Sequence, residues 1–570
     1  MKLSALHIVT MFLLILCGNQ LLADVSLHEA PADSVIFSSS NLPIVVIDTH
    51  GQTILDEPKI TADMGIIDND VGVRNNLTDQ FNGYKGKIGI EIRGSSSQMF
   101  PKKQYGFETR DSVGNSINVS LMGLPDESDW ILSAQYNDKS LMRDALTFWL
   151  AKATGHYASR ARYCELVLNN RYWGIYILFE KIKRNKNRVN ITKLTAADTT
   201  GDALTGGYII KIDKIEGSDI GGWYSTYPPY PGARQKIYYQ YDTPKSSSIT
   251  IPQQAYIASY VAAFESTMTT AAYADTVTGY PHIVDVNSFV DISLLGELSK
   301  NVDDYRLSLF LHKDRDSKGG KLIAGPVWDY NLGFGNCDYY DASLIPGYQL
   351  LYLTTNSSFM NYDDNQVPFW WKKIFVDPGF QTRLKSRWQQ LRMGPFSTAS
   401  IDTWIDSVAT LIDEAQTRNF TKWPILGTYV WPNYYVGNTY QEELAYLKQW
   451  IAARATWLDA QLKTQDVGEI NQQSSVVREC ILYQNYPNPF NPTTAIRFGL
   501  SKGGFVSLRV YDLLGREVSA LLHEFRSAGQ HEVQFDAVGL PSGVYFCRLN
   551  VAFSPTDGIF SSAQRLVLLR

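Results

Sequence analysis

Short apolar runs separated by Gly, Asn and Pro fill the first half of the chain. From Leu42, LPIVVIDTHGQTI alternates apolar and small residues around a His-Gly turn, the period of a strand rather than a helix. KIGIEIRGSSSQMFPKKQYGFETRD predicts two more strands, residues 87–93 and 104–109, with a Gly-Ser loop between them. CELVLNNRYWGIYILFE predicts a hairpin about Asn169-Asn170-Arg171, with strands over 165–168 and 174–180. GGYIIKIDK adds a strand in which Lys211 and Asp213 alternate with apolar neighbours, and the Tyr-, Pro- and Gly-rich run 221–240 reads as a loop insertion able to shape an acceptor site. Within this sheet-forming half, Leu141, Ala145, Phe148, Trp149 and Ala153 recur at helical spacing, and Gly155 closes that helix as a C-cap glycine.

Further on the period lengthens. Residues 251–268, 286–300, 369–393, 400–420 and 441–462 are helical in pattern. In the last, Leu444, Leu447, Trp450, Ile451, Trp457 and Leu458 share a face that only Arg454 interrupts. Between these helices, apolar segments 307–312 and 321–327 flank the turn DRDSKGG, a hairpin signal. Asp314 and Asp316 open that turn as a calcium loop does, but Lys318 stands where the next oxygen ligand is needed, so it is a turn. Residues 466–480 read as a linker. Residues 481–570, short alternating strands between Gly and Pro turns, predict a small all-β sandwich.

Length allows several domains in 570 residues. A net charge of -5 with 19% charged residues offers no basic surface for nucleic acid or membranes. The 34 Tyr and 13 Trp are accounted for first by buried aromatic cores and second by sugar-stacking platforms. The first 23 residues combine Lys2, an apolar run from Ile8 to Leu16 and Leu21-Leu22-Ala23, the build of a cleaved secretory signal. That run is too short to span a membrane, and the bulky Leu16 argues against a lipidated Cys17. The cysteines beyond it form no disulfide framework, with Cys480 and Cys547 the one pair inside a small domain. H-E-x-x-H, G-x-S-x-G, paired C-x-x-C and Walker-type loops are missing from the sequence, which turns the search away from zinc hydrolysis and nucleophile-elbow esterases.

Two stretches carry candidate chemistry. Asp303 precedes the first hairpin segment and Asp329 follows the second at a Trp-Asp step running into LGFG, where glycines let backbone approach a ligand. A formed hairpin brings both carboxylates to one end, pairing a base with a metal ligand. The second stretch is Gly94 to Ser97, with free backbone N–H groups, the hydroxyls of Ser95, Ser96 and Ser97, and Arg93, Lys102 and Lys103 at its edges, a set able to hold phosphates. Asp138 and Arg143 read as a solvated ion pair at a helix start. Glu180 ends an apolar strand, in a salt bridge or facing a nucleotide.

NVDDY followed by GPVWDYNLGFGN resembles the paired signature of the spore-coat protein H (CotH) kinase family, and RGSSS followed by PKKQY resembles its nucleotide-covering loop. The resemblance implies an α+β fold over residues 24–465, a divergent two-lobed protein-kinase-like domain. It implies that Asp303 is catalytic and that Asp329 binds Mg2+. It makes Arg93, the three serines, Lys102 or Lys103 (Lys103 preferred) and Glu180 the ATP-binding residues, and implies that Asp138 and Arg143 position the phosphate-binding lysine. Two departures stand out: Ser308 occupies the place of a second, Asn metal ligand, and Asn331 that of the second acid in W-D-x-D. NYPNPFNPTT, VYDLLGREV and LPSGVYF resemble the C-terminal sorting domain of type IX secretion cargo, an immunoglobulin-like sandwich over 481–570. The expected function is therefore Mg-dependent phosphate transfer from ATP to hydroxyls of a secreted or surface protein, on a chain exported without a transmembrane anchor. The alternative is an inactive kinase-like surface-binding scaffold.

Overall fold

The computed structural model describes residues 35–218, 220–463, 480–501, 504–526, 529–552 and 559–569. The expected signal segment and nearly all of the linker lie outside them. The chain divides into two compact units, Met1–Thr464 and Gln465–Arg570.

The first unit begins with a closed seven-stranded barrel. Its strands, in neighbour order, are Ile44–Asp48, Ile60–Ile67, Tyr84–Arg93, Gln104–Arg110, Asp129–Ser133, Arg171–Glu180 and Ala161–Leu168. All pairs are antiparallel except the closing one, where Ile44–Asp48 runs parallel to Ala161–Leu168. Alternation explains the two faces. Ile88, Ile90, Phe107, Trp130, Leu132 and Leu178 fill the barrel, whereas Ile131, Ile177 and Phe179 join the neighbouring core through helix Arg143–Ala153 with its Leu146 and Phe148. Asn169 and Asn170, at φ 51° and 62°, make the tight turn that their sequence predicts.

Beyond the barrel lies an antiparallel five-stranded sheet in the order Gly222–Tyr224, Tyr238–Thr243, Tyr208–Ile212, Leu309–Lys313 and Leu322–Ala324. The run 221–240 is thus not loop throughout: both ends are strands, and Trp223 stacks on Tyr239 at 5.3 Å. Helices Ile251–Thr269 and Val286–Ser299 pack beside this sheet. The helical run 369–393 is broken in two because Asp377 caps Gly379 N and Phe380 N, each at 3.2 Å, while Pro378 cannot continue the preceding ladder. Residues 400–420 divide likewise, into Thr398–Leu411 and Asp413–Lys422. Arg454 does not interrupt a buried face but anchors it. Fully buried, it donates to Glu297 O at 2.7 Å and Gly347 O at 2.8 Å and pairs with Glu297 Oε2 at 3.2 Å, tying helix Tyr440–Gln461 to Val286–Ser299.

In the second unit, a three-stranded and a four-stranded sheet enclose Val506, Leu508, Val510, Leu549 and Val551. Cys480 and Cys547 are separate thiols: Cys547 is in the core, and Cys480 lies 3.4 Å from Ser501 Oγ.

Candidate active site

Strand pairing brings the serine loop into place. Tyr84–Arg93 and Gln104–Arg110 run together up to Arg93 opposite Gln104, and the chain turns at Gly94 with φ +95°. A Cβ there would stand 2.1 Å from Ser97 Oγ, so the turn requires glycine. From the other side, the hairpin aligns Leu311 with Ala324 and Lys313 with Leu322, and the chain leaving it reaches Asp329 in the left-handed region at φ 66°. Between these elements lies a cleft of about 670 Å³, within the usual range for small-molecule sites. Arg93, Ser95, Ser96 and Ser97 line it on the barrel side. Asp303, Ser308, Asp329 and Asn331 line it on the hairpin side.

The acids outnumber their local partners. The Asp329 carboxyl touches the water of the cleft but is walled in by protein, and this burial, with Asp144, Asp303 and Asp213 adding to it, pushes its pKa to about 7. Arg93 opposes the rise. Its guanidinium lies over Trp328 at 5.4 Å and makes no ion pair among the described residues. Asp303 is also pushed up by burial, with Arg306 as the chief opposing charge, and its Oδ1 accepts from Arg306 Nη2 at 2.8 Å. Asn301 Nδ2 donates to the carbonyl of Asp329 at 3.1 Å, and Asn331 Nδ2 to Asn137 Oδ1 at 3.0 Å.

Three candidates lie elsewhere. Lys102 Nζ is buried under the Tyr176 ring and donates to Ala134 O, Ile175 O and Asn419 Oδ1 at 2.9, 2.6 and 2.9 Å, so it holds the interior together. Lys103 Nζ is spent on Gln98 O at 2.5 Å, inside the serine-loop turn. Glu180 is fully buried and bridges to Arg160 Nη2 at 2.8 Å and Tyr157 Oη at 3.2 Å. None of the three lines the cleft itself, although Lys102 borders a small cavity of about 10 Å³ together with Ser97, Asp144, Asp329 and Asn331. Asp138 and Arg143 form a buried pair at 2.5 Å rather than a solvated one, and Asp138 also caps Arg143 N at 2.8 Å. Gly335 meets Trp450 and Tyr446 rather than the cleft, so its small size serves packing. The run 221–240 contributes nothing to the cleft lining.

Residues not singled out from sequence complete the site. Asp144, in the first turn of helix Arg143–Ala153, accepts from Tyr330 N at 2.7 Å and from Gln135 Nε2 at 2.9 Å, holding the turn that carries Asp329. Burial pushes its pKa to about 6. Asp213 receives Lys211 Nζ at 3.0 Å and lies 3.4 Å from Ser308 N. Lys181, Lys211 and Lys214 line the cleft in place of the two expected lysines.

Among the described residues, no group of three or more His, Cys, Asp or Glu is placed to hold a metal ion. The donors on offer suit Mg2+ nonetheless. The Asp329 carboxylate accepts no hydrogen bond among the described residues, and Asn331, whose amide nitrogen is engaged with Asn137, lines the same cleft. Mg2+ is commonly held by one or two carboxylates together with substrate phosphates rather than by an all-protein cage.

The family model described as CotH kinase protein matches residues 90–458. That described as the secretion system C-terminal sorting domain matches residues 484–554. No curated protein matches. Among solved structures, the endo-beta-1,4-mannanase from Thermotoga petrophila matches at 12% identity over 25% of this chain and 27% of its own, with a TM-score of 0.12, a likeness too slight to bear on fold or activity. The sorting domain addresses the chain to the cell surface or outside by type IX secretion. Among the described residues, no helix is long and apolar enough to cross a membrane. Matched over well more than half of its length, the chain belongs to the CotH kinase protein family.

Proposed function

We propose that this protein is an exported phosphotransferase that moves the γ-phosphate of ATP to a hydroxyl of a secreted or surface protein. The observation that carries the reading is Arg93, over Trp328 and in no ion pair among the described residues, in one cleft with Asp329, Asp303 and the serine loop. A guanidinium in no ion pair among the described residues, beside a turn rich in N–H and hydroxyl groups, suits an incoming phosphate chain. The barrel and the helix-rich part with its five-stranded sheet, with the cleft between them, are read as the two lobes of a divergent kinase-like fold.

In this reading Arg93 and Ser95–Ser97 hold the phosphates, with Lys211 and Lys214 lining the same cleft. Asp329 and Asn331 are the residues that would hold Mg2+, with Ser308 near them. Mg2+ held there would neutralise charge on the phosphate chain. Asp303 orients the acceptor hydroxyl and takes its proton as the oxygen–phosphorus bond forms and the bond from the γ-phosphorus to ADP breaks. Assistance of that kind is typically worth about 100- to 10,000-fold.

One observation favours a second reading, a kinase-like surface-binding scaffold. Ser95 Oγ donates to Glu216 Oε1 at 2.7 Å, so a carboxylate already occupies one hydroxyl of the proposed phosphate loop. Intact mass spectrometry of exported candidate proteins, incubated with the full chain, ATP and Mg2+, separates the two. Phosphotransfer gives acceptors heavier by phosphate, lost with Asp303→Ala and Asp329→Ala; unchanged masses favour the scaffold, and a gain of nucleotide replaces phosphate transfer with nucleotide transfer.

A further inference from the structure

The loop between helices Asp413–Lys422 and Tyr440–Gln461 holds Tyr429, Trp431 and Tyr434 in solvent, 54%, 38% and 54% exposed. Large aromatic side chains left outside on a mobile loop would mean little, but this loop is fixed. Asp338 N donates to Pro432 O at 3.0 Å and Tyr434 N to Asn336 O at 2.8 Å. The buried Asn433 side chain donates to Asn137 O at 2.7 Å and Asn336 Oδ1 at 2.9 Å. Trp431 lies nearly parallel to Tyr339, with centroids 6.1 Å apart and 16° between planes. Tyr339 packs on a small apolar cluster of Val302, Leu332 and Cys337. Val302 immediately precedes Asp303, and Trp431, Leu332 and Asp303 line the same cleft.

We propose that this aromatic shelf binds the acceptor, and that the acceptor is an extended, proline-bearing polypeptide whose neighbouring hydroxyl residue it lays beside Asp303. The proposal rests on the phosphotransfer reading and names the acceptor class for it. Flat rings held open on a rigid frame suit the polyproline II helix, which is preformed, loses little entropy on docking and offers prolyl rings to aromatic faces. Polar groups of this loop also serve its frame: Asp338 Oδ2 accepts Tyr429 Oη at 2.8 Å, and the Asn433 amide donates to Asn137 O and Asn336 Oδ1. The carboxylates of Asp338 and Asp341, both exposed, disfavour acidic acceptors.

Calorimetric titration of the full chain tests this with three probes and no nucleotide. They are a peptide with prolines flanking a single serine, its alanine counterpart, and a neutral glucan oligosaccharide. The proline peptide should bind at least tenfold more tightly than the alanine peptide. Trp431→Ala should abolish that margin, and Tyr429→Ser, at a second exposed site outside the cleft lining, should reduce it while keeping the Mg–ATP affinity of the parent; both variants should fold like the parent. Equal affinities for the two peptides, a margin that survives Trp431→Ala, or oligosaccharide binding that depends on Trp431 would overturn the proposal. Because the peptide arm contains no nucleotide, failure of Mg–ATP binding would count against phosphotransfer alone, and failure of the peptide arm against the shelf alone.

Discussion

Asn301 Nδ2 donates to the backbone carbonyl of Asp329 at 3.1 Å, joining the two sequence signatures that lie on either side of the hairpin. Asn301 is buried, so its amide is held in place as the donor to this part-buried carbonyl. With Asp144 holding Tyr330 N at 2.7 Å, it pins Asp329 in a left-handed conformation that a non-glycine residue adopts at a cost. Asn301→Ala should therefore lower the unfolding free energy by about 1–3 kcal/mol and weaken Mg–ATP binding, whereas Asn301→Asp should fail to restore it because aspartate cannot donate. Urea titration and calorimetry on the two variants check this.

Arg306 is shared between two acids. Its Nη2 meets Asp303 Oδ1 at 2.8 Å and its Nη1 meets Asp363 Oδ1 at 3.0 Å, between the rings of Tyr340 and Phe359. Asp363 itself raises the pKa of Asp303. Asp363→Asn removes that repulsion and leaves Arg306 with one carboxylate, so Asp303 should ionise at lower pH. The acidic limb of the transfer-rate profile should move to lower pH. An upward movement would contradict this arrangement.

Lys102 provides the contrast between a structural and a ligand-binding cation. Lys102→Met leaves Ala134 O, Ile175 O and Asn419 Oδ1 without their shared donor. The expected loss is about 2–4 kcal/mol of stability, with Mg–ATP affinity in the folded variant unchanged within about twofold.

Much of this was legible beforehand, because local pattern and turn chemistry agreed with the fold. The Asn169-Asn170 turn, the pairing that ends at Arg93 and the hairpin before Asp329 all follow from alternation and punctuation. What escaped depended on contacts distant in sequence. Lys102 and Lys103 are adjacent to a phosphate-like loop, and nothing local reveals that Asn419, in a helix far along the chain, takes the first of them inward. Asp144 looked like one more polar residue on a helix until Tyr330 supplied the amide it holds. The strands within 221–240 were hidden because tyrosines and glycines there mimic an irregular segment.

Glu265 sets a pH dependence of stability. It is 2% exposed, accepts from Tyr239 Oη and Ser225 Oγ at 2.9 Å, and burial pushes its pKa from 4.5 to about 7. Between those values the folded state keeps a proton that the unfolded chain has lost. Its contribution is full below about pH 4.5, falls as pH rises to about 7 and is level above, by up to about 3 kcal/mol. Glu265→Gln should flatten that part of the curve, so the difference between parent and variant in urea unfolding should move in favour of the variant between pH 5 and 8.

The central claim is that the barrel-side cation and the hairpin-side acid serve one ligand, and calorimetric titration of the full chain with ATP tests it most directly. The account predicts binding that requires Mg2+ and that weakens at least tenfold in both Arg93→Ala and Asp329→Ala, each folded like the parent. ATP affinity that is indifferent to Mg2+ and to both substitutions, or no binding by the intact chain, would contradict it.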